Sequence, residues 1–159
     1  MKNNFFNIAV KNIYTKPSFK SEVSSQILYG EKFEILSEKK GWVKIKTYFD
    51  NYIGYIKEQK FRAKFKPQLK IFKLKSKIFV KKKKKFSPSK NFLYFASGIS
   101  VLNTNKNFIE FEKNKWIKKK DTKNINHFEK NYLKIIKLFL NSKYLWGGKT
   151  SRGIDCSAL

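Results

Sequence analysis

The one thiol of the chain, Cys156, lies in the run Tyr144-Leu-Trp-Gly-Gly-Lys-Thr-Ser-Arg-Gly-Ile-Asp-Cys-Ser-Ala-Leu159, which holds most of the chemistry legible in the sequence. Gly147-Gly148 marks a tight turn, and Gly153 a second point of close backbone approach. The Asp155-Cys156-Ser157 step predicts that the thiol lies where a loop enters a helix. The partial positive charge of a helix N-terminus stabilises a thiolate there, which makes Cys156 a candidate nucleophile. A lone cysteine is more often a small buried hydrophobe, and the residue types alone leave both readings open. Such a nucleophile needs a base within hydrogen-bond reach. The single His, His127, lies upstream of Cys156 and is read as a partly exposed residue at a helix start, not as that base. The one Cys can form no intrachain disulfide, and it lacks partner ligands at metal-site spacing. No metal and no organic cofactor is expected.

The elements that must position this run begin with short strands punctuated by turns. Ile8 to Tyr14 leads into the turn Thr15-Lys-Pro-Ser18, where Pro17 pre-sets φ. Ser24 to Tyr29 ends at Gly30-Glu31, Lys32 to Leu36 at Ser37-Glu-Lys-Lys-Gly41, and Trp42-Val-Lys-Ile-Lys46 alternates. That alternation puts Val43 and Ile45 on one face and Lys44 and Lys46 on the other. Asp50-Asn51 makes a turn before Tyr52 to Ile56. Short strands at this spacing predict a small barrel in preference to a sandwich.

A degenerate second copy follows: Leu93 to Gly98 parallels Gln26 to Gly30, Ile99 to Leu102 parallels Phe33 to Leu36, and Lys115 to Lys118 closes it. Between the copies, Lys81 to Lys85 is expected to be a solvated, self-repelling loop, with an anion-binding patch as the alternative. From Asn126 the period changes. Phe128, Tyr132, Ile135, Ile136 and Phe139 fall on one helical face, with Asn126 and Glu129 as a capping box and an end near Asn141-Ser142.

The run from Tyr144 to Leu159 resembles the nucleophile signature of the NlpC/P60 cysteine peptidases, which open peptidoglycan stem peptides. Pro17-Ser18, Ser21-Glu22-Val23, Gln26 to Glu31, Gly41 to Lys44 and Asp50 to Ile56, taken in order, resemble bacterial SH3 (SH3b) domains. The resemblance implies a mainly β N-terminal part of one or two SH3-like small barrels, followed by the helical start of a papain-like α+β domain. The implied division is 1–63 for the first barrel, 64–122 for the second and 123–159 for the front of a catalytic domain. Because the family takes its base from strands after the nucleophile helix, the resemblance also implies that these residues are the front part of a longer enzyme. They would then be inactive alone.

Roles follow residue by residue from the same resemblance. Cys156 would attack an amide carbonyl. Tyr144 would shape the acyl site, and Asp155 and Ser157 would accept hydrogen bonds from the free amino end of the substrate. Trp146 and the Gly147-Gly148 pair would be structural. Members with an N-terminal SH3b domain release L-Ala-γ-D-Glu from wall-derived peptides, as dipeptidyl-peptidase VI or γ-D-glutamyl-L-diamino-acid endopeptidases. Glu22 and Tyr52 fall where such members place residues that meet the amine. The alternative for Trp42, Tyr52 and Tyr55 is barrel core and rim, which is preferred for Trp42, and for Glu22 an exposed rim position is equally expected.

The formal charge of +26, from 37 Lys+Arg against 11 Asp+Glu, would by itself suggest a polyanionic partner. The excess is almost all Lys, with Arg only at 62 and 152, beside abundant Asn, Ile, Phe and Tyr. These are residues of A/T-rich codons, so genome composition accounts for the charge, and no specific nucleic-acid partner is expected. The N-terminus lacks a sustained apolar h-region, and cytoplasmic residence is expected. The expected partner is a peptidoglycan-derived peptide. Two further readings compete: non-catalytic tandem SH3b modules that bind wall peptides, and a basic nucleic-acid-binding protein.

Overall fold

A computed structural model describes residues 4–59, 61–62 and 64–158. The chain forms two compact units, Met1–Phe65 together with Asn141–Leu159, and Lys66–Leu140. The first unit contains β1 (Asn4–Phe5), β2 (Val10–Tyr14), β3 (Val23–Leu28), β4 (Lys32–Lys39), β5 (Trp42–Thr47) and β6 (Ile53–Lys57). They pair in the order β1-β4-β5-β6-β2-β3, antiparallel throughout.

The sequence-expected strands are present with shifted bounds: β2 starts two residues later, β3 and β6 are displaced by one, β5 gains one and β4 gains three, Ser37 to Lys39, by pairing with β5. The period-two pattern of β5 holds: Val43 and Ile45 are fully buried in a core with Phe6, Ile13, Ile27, Phe33 and Ile56. On the opposite face of β5, Trp42 is buried outside that cluster. Tyr14 stands edge-on to it and Phe19 is tilted against it, at centroid distances of 5.8 and 4.9 Å. The β4–β5 turn has positive φ at both Lys40 and Gly41, the hairpin conformation whose twist matches that of the strands. The expected closed barrel is not seen. β1 and β3 are the outer strands of the sheet: beyond its two pairs with β4, β1 makes a single antiparallel bridge from Phe5 to Arg62, and among the described residues no ladder joins it to β3.

The second unit contains β7 (Leu69–Ile71), β8 (Lys75–Lys82), β9 (Lys85–Tyr94), β10 (Gly98–Ile99), β11 (Asn103–Thr104), β12 (Phe108–Glu112), β13 (Lys115–Lys118) and β14 (Thr122–Asn124). They form a three-stranded sheet, β10-β7-β14, and a five-stranded sheet, β11-β12-β13-β8-β9, neither of which closes. Ile71, Leu93, Ile99 and Ile117 are buried in this unit, and so is a polar pair in which Ser76 Oγ donates to Asp121 Oδ2 at 2.6 Å. The lysine run is not a connection between repeats. Lys81 and Lys82 end β8, Lys85 begins β9, and Lys83 turns the chain at φ 53°. A hairpin tip keeps these ammonium groups in solvent while the backbone stays in the ladder.

Helix α1 spans Tyr132–Leu138, shorter at both ends than its apolar periodicity suggests. Its cap is Asn131, whose side chain accepts from Lys134 N at 3.3 Å, and not Asn126, whose capping box with Glu129 does not form. Asn131 lies five residues after the expected cap, and Glu129 is bound instead to the Lys134 ammonium. No residue of α1 is buried, and Tyr132 and Leu133 are exposed, whereas Phe139 packs edge-on against Phe95. Among the described residues no helix is long and apolar enough to cross a membrane.

Candidate functional site

Residues 141–158 fold onto the first unit as a small hairpin, β15 (Lys149–Thr150) and β16 (Gly153–Ile154). The chain entering it runs beside β16: Tyr144 bridges Ile154, Leu145 N donates to Ile154 O, and Ile154 N to Lys143 O. Gly147 has φ +69°, and a Cβ there would stand 3.0 Å from Ser25 N, so both its conformation and its approach to β3 require glycine.

Asp155 organises the turn that carries the thiol. Its Oδ2 accepts from Gly147 N at 2.9 Å, and its Oδ1 accepts from Ser157 N, Ser157 Oγ and Ala158 N at 3.0, 2.8 and 3.0 Å. Four donors occupy about as many lone-pair directions as a carboxylate offers. Asp155 therefore caps the 3-10 turn Cys156–Ala158 and ties it back to the Gly-Gly bend. Within the described residues the step at Cys156 is this single 3-10 turn, whose Ser157 and Ala158 amides both donate to Asp155. Cys156 is exposed.

Strand β3 and the β5–β6 turn hold this hairpin from the other side. Lys149 N donates to Gln26 Oε1 at 2.9 Å, and the Gln26 amide is oriented by donating from Nε2 to Asn12 Oδ1 at 3.0 Å. The Lys149 ammonium pairs with Asp50 Oδ2 and lies 5.9 Å from the Tyr52 ring centroid. Burial alone would raise the Asp50 carboxyl, but hydrogen bonds from Lys149 and Thr47 outweigh it and hold the group below the usual carboxylate range. Nearby, burial raises Glu31 to about 7 despite Lys149 and an amide bond from Leu28.

Of the residues singled out from sequence, Tyr52 and Ser157 come together, with Tyr52 Oη 3.3 Å from Ser157 Oγ. Cys156 and Asp155 lie in the same turn, and Tyr144 flanks it with its ring exposed. Glu22 is exposed, and among the described residues its carboxylate makes no hydrogen bond or ion pair. His127 belongs to the second unit, where it stands edge-on to Phe72 with Nε2 3.8 Å from Glu129 Oε2. The unit that carries Cys156 contains no His. Among the described residues no three His, Cys, Asp or Glu side chains converge as for a metal ion. Sequence reasoning missed Lys149, Asp50 and Gln26. The only signal was a Lys directly after Gly-Gly, with nothing to name its partners.

Residues 13–61 match the family of bacterial dipeptidyl-peptidase Sh3 domains. The chain is also similar to the crystal structure of an NlpC/P60 family protein from Bacillus cereus ATCC 10987. That likeness has a TM-score of 0.79 at 14% identity, over 98% of this chain and 69% of that one. No curated protein matches the chain. The N-terminal domain is thus SH3b-like, and the fold is that of an NlpC/P60 protein.

Proposed function

We propose that this chain is the SH3b-bearing part of a thiol peptidase that hydrolyses peptidoglycan stem peptides between γ-D-Glu and the diamino acid, in cytoplasmic wall-peptide recycling. The observation that carries the reading is the Asp155-capped turn, which sets Cys156 beside the Tyr52–Ser157 contact on an SH3b-like sheet. In the reaction the Cys156 thiolate attacks the amide carbonyl. The tetrahedral adduct expels the diamino acid amine, which takes up a proton, and water hydrolyses the thioester to regenerate the thiol. Tyr52 and Ser157 would receive the free amino end of L-Ala, with Glu22 as a further anionic partner and Tyr144 beside the acyl group. Asp155 acts chiefly through the turn it caps, because its oxygens are already engaged.

The proton must be taken from the thiol by a base, and the unit that carries Cys156 contains no His. The same lack of a base favours a second reading, a module that binds wall peptides without cleaving them. An NMR titration of the chain with L-Ala-γ-D-Glu-diaminopimelate and with its N-acetylated form tests both. Shifts at Tyr52 and Ser157 with the free amine alone support the amine site. Equal response to both peptides, or none, removes it.

A further inference from the structure

We infer that Lys149 is a positioning residue whose ion pair with Asp50 latches the Cys156-bearing hairpin onto the SH3b-like sheet. The inference rests on the reading of Cys156 as the nucleophile. Three observations lead to it. Lys149 is held at both ends, its amide by Gln26 Oε1 and its ammonium by Asp50, so one residue contacts both β3 and the β5–β6 turn. The pair is shielded, with side chains only 10% and 18% exposed, so it is screened far less than a surface pair. Asp50 is itself fixed by Thr47 Oγ1, which gives the latch a defined seat.

The consequence concerns geometry at the site. Lys149 directly follows the Gly147-Gly148 bend, and Gly147 N and Gly148 O are the groups that hold Asp155 through its carboxylate and its amide. Fixing Lys149 therefore fixes the Asp155 cap, which fixes the turn of Cys156 and the meeting of Ser157 with Tyr52. Among the described residues the charged groups around the latch are Asp50, Lys149 and Glu31. Removing either member leaves the other shielded and unpaired, so either loss should loosen the hairpin while sparing the apolar core of the sheet.

The test is amide hydrogen exchange on the 159-residue chain, without substrate, in Lys149→Met, Asp50→Asn, the double variant and Lys149→Arg. We expect the amides of Gly147, Gly148, Asp155 and Ser157 to exchange at least tenfold faster in each of the first two variants. The double variant should be no worse than either single one, and Lys149→Arg should restore most of the protection. Val43 and Ile45, in the core strand, should be unchanged. If a variant loses core protection as well, the unmodified chain decides. Its hairpin amides should lose protection as pH falls through the depressed Asp50 pKa, while Val43 and Ile45 hold. Unchanged hairpin protection in Lys149→Met, additive single effects, or no acid loosening in the unmodified chain overturns the latch. Failure of Cys156 to react with wall-peptide analogues would overturn the peptidase reading and leave these exchange rates as they are.

Discussion

Glu31 should make the first unit less stable as the solution becomes more alkaline, and replacing it by Gln should remove that loss. Burial raises its carboxyl from 4.5 to about 7, opposed by Lys149 and the Leu28 amide and reinforced by Asp50. The folded chain thus holds a proton across a range where the unfolded chain has released it. Between 4.5 and about 7 the native state binds more protons, so unfolding becomes easier as pH rises through that window. The gap corresponds to about 3 kcal/mol once both states are ionised, at pH 8. Glu31→Gln is neutral at every pH and keeps an acceptor for Leu28 N. It should therefore stabilise the unit by about 3 kcal/mol at pH 8 and change little at pH 4. Because the chain has two units, a single melting curve mixes them, so amide exchange of Val43 and Ile45 in the first core is the better readout. The same difference at pH 4 and pH 8, or a less stable variant at pH 8, would refute the reasoning.

In the second unit, Ser76→Ala strips the buried Asp121 carboxylate of its hydroxyl donor and should cost about 1–3 kcal/mol, read from faster exchange at Ile109 and Ile117. Gly147→Ala forces a side chain into positive φ against the Ser25 backbone and should cost about 1–2 kcal/mol of hairpin docking, seen as lost protection of the Lys149 amide.

Local signals carried much of the fold. The alternation Val43-Lys-Ile45, Pro17 in its turn and the Lys40-Gly41 bend each depend on a few adjacent residues, and β2 to β6 fell close to where those signals put them. The start of α1 was misplaced because Asn126 and Asn131 both cap well, and only the bond to Lys134 N separates them. The Lys81 to Lys85 run looked like a linker because charge pattern does not reveal that both flanks pair as strands. At the site, the step at Asp155-Cys156-Ser157 was read as a loop entering a helix, whereas the cap that Asp155 makes was not foreseen. Nor was the Lys149–Asp50 pair, since it joins positions 99 apart and each residue alone looks like an ordinary surface charge. The family resemblance assigned Tyr52 and Ser157 separately to the substrate amine, and neither it nor any spacing in the sequence implied the contact between them.

The account turns on Cys156 being a nucleophile that is presented to a peptide with a free amine. The most direct measurement treats the chain with an irreversible L-Ala-γ-D-Glu acyloxymethyl ketone and follows adduct formation by mass spectrometry. The thiol displaces the carboxylate leaving group, so a stable thioether forms without any hydrolytic turnover. We predict one adduct per chain at Cys156, none in Cys156→Ala, and labelling at least tenfold faster than with the N-acetylated reagent. Labelling of Cys156 at the rate of free cysteine, with no preference for the free amine, would contradict the account.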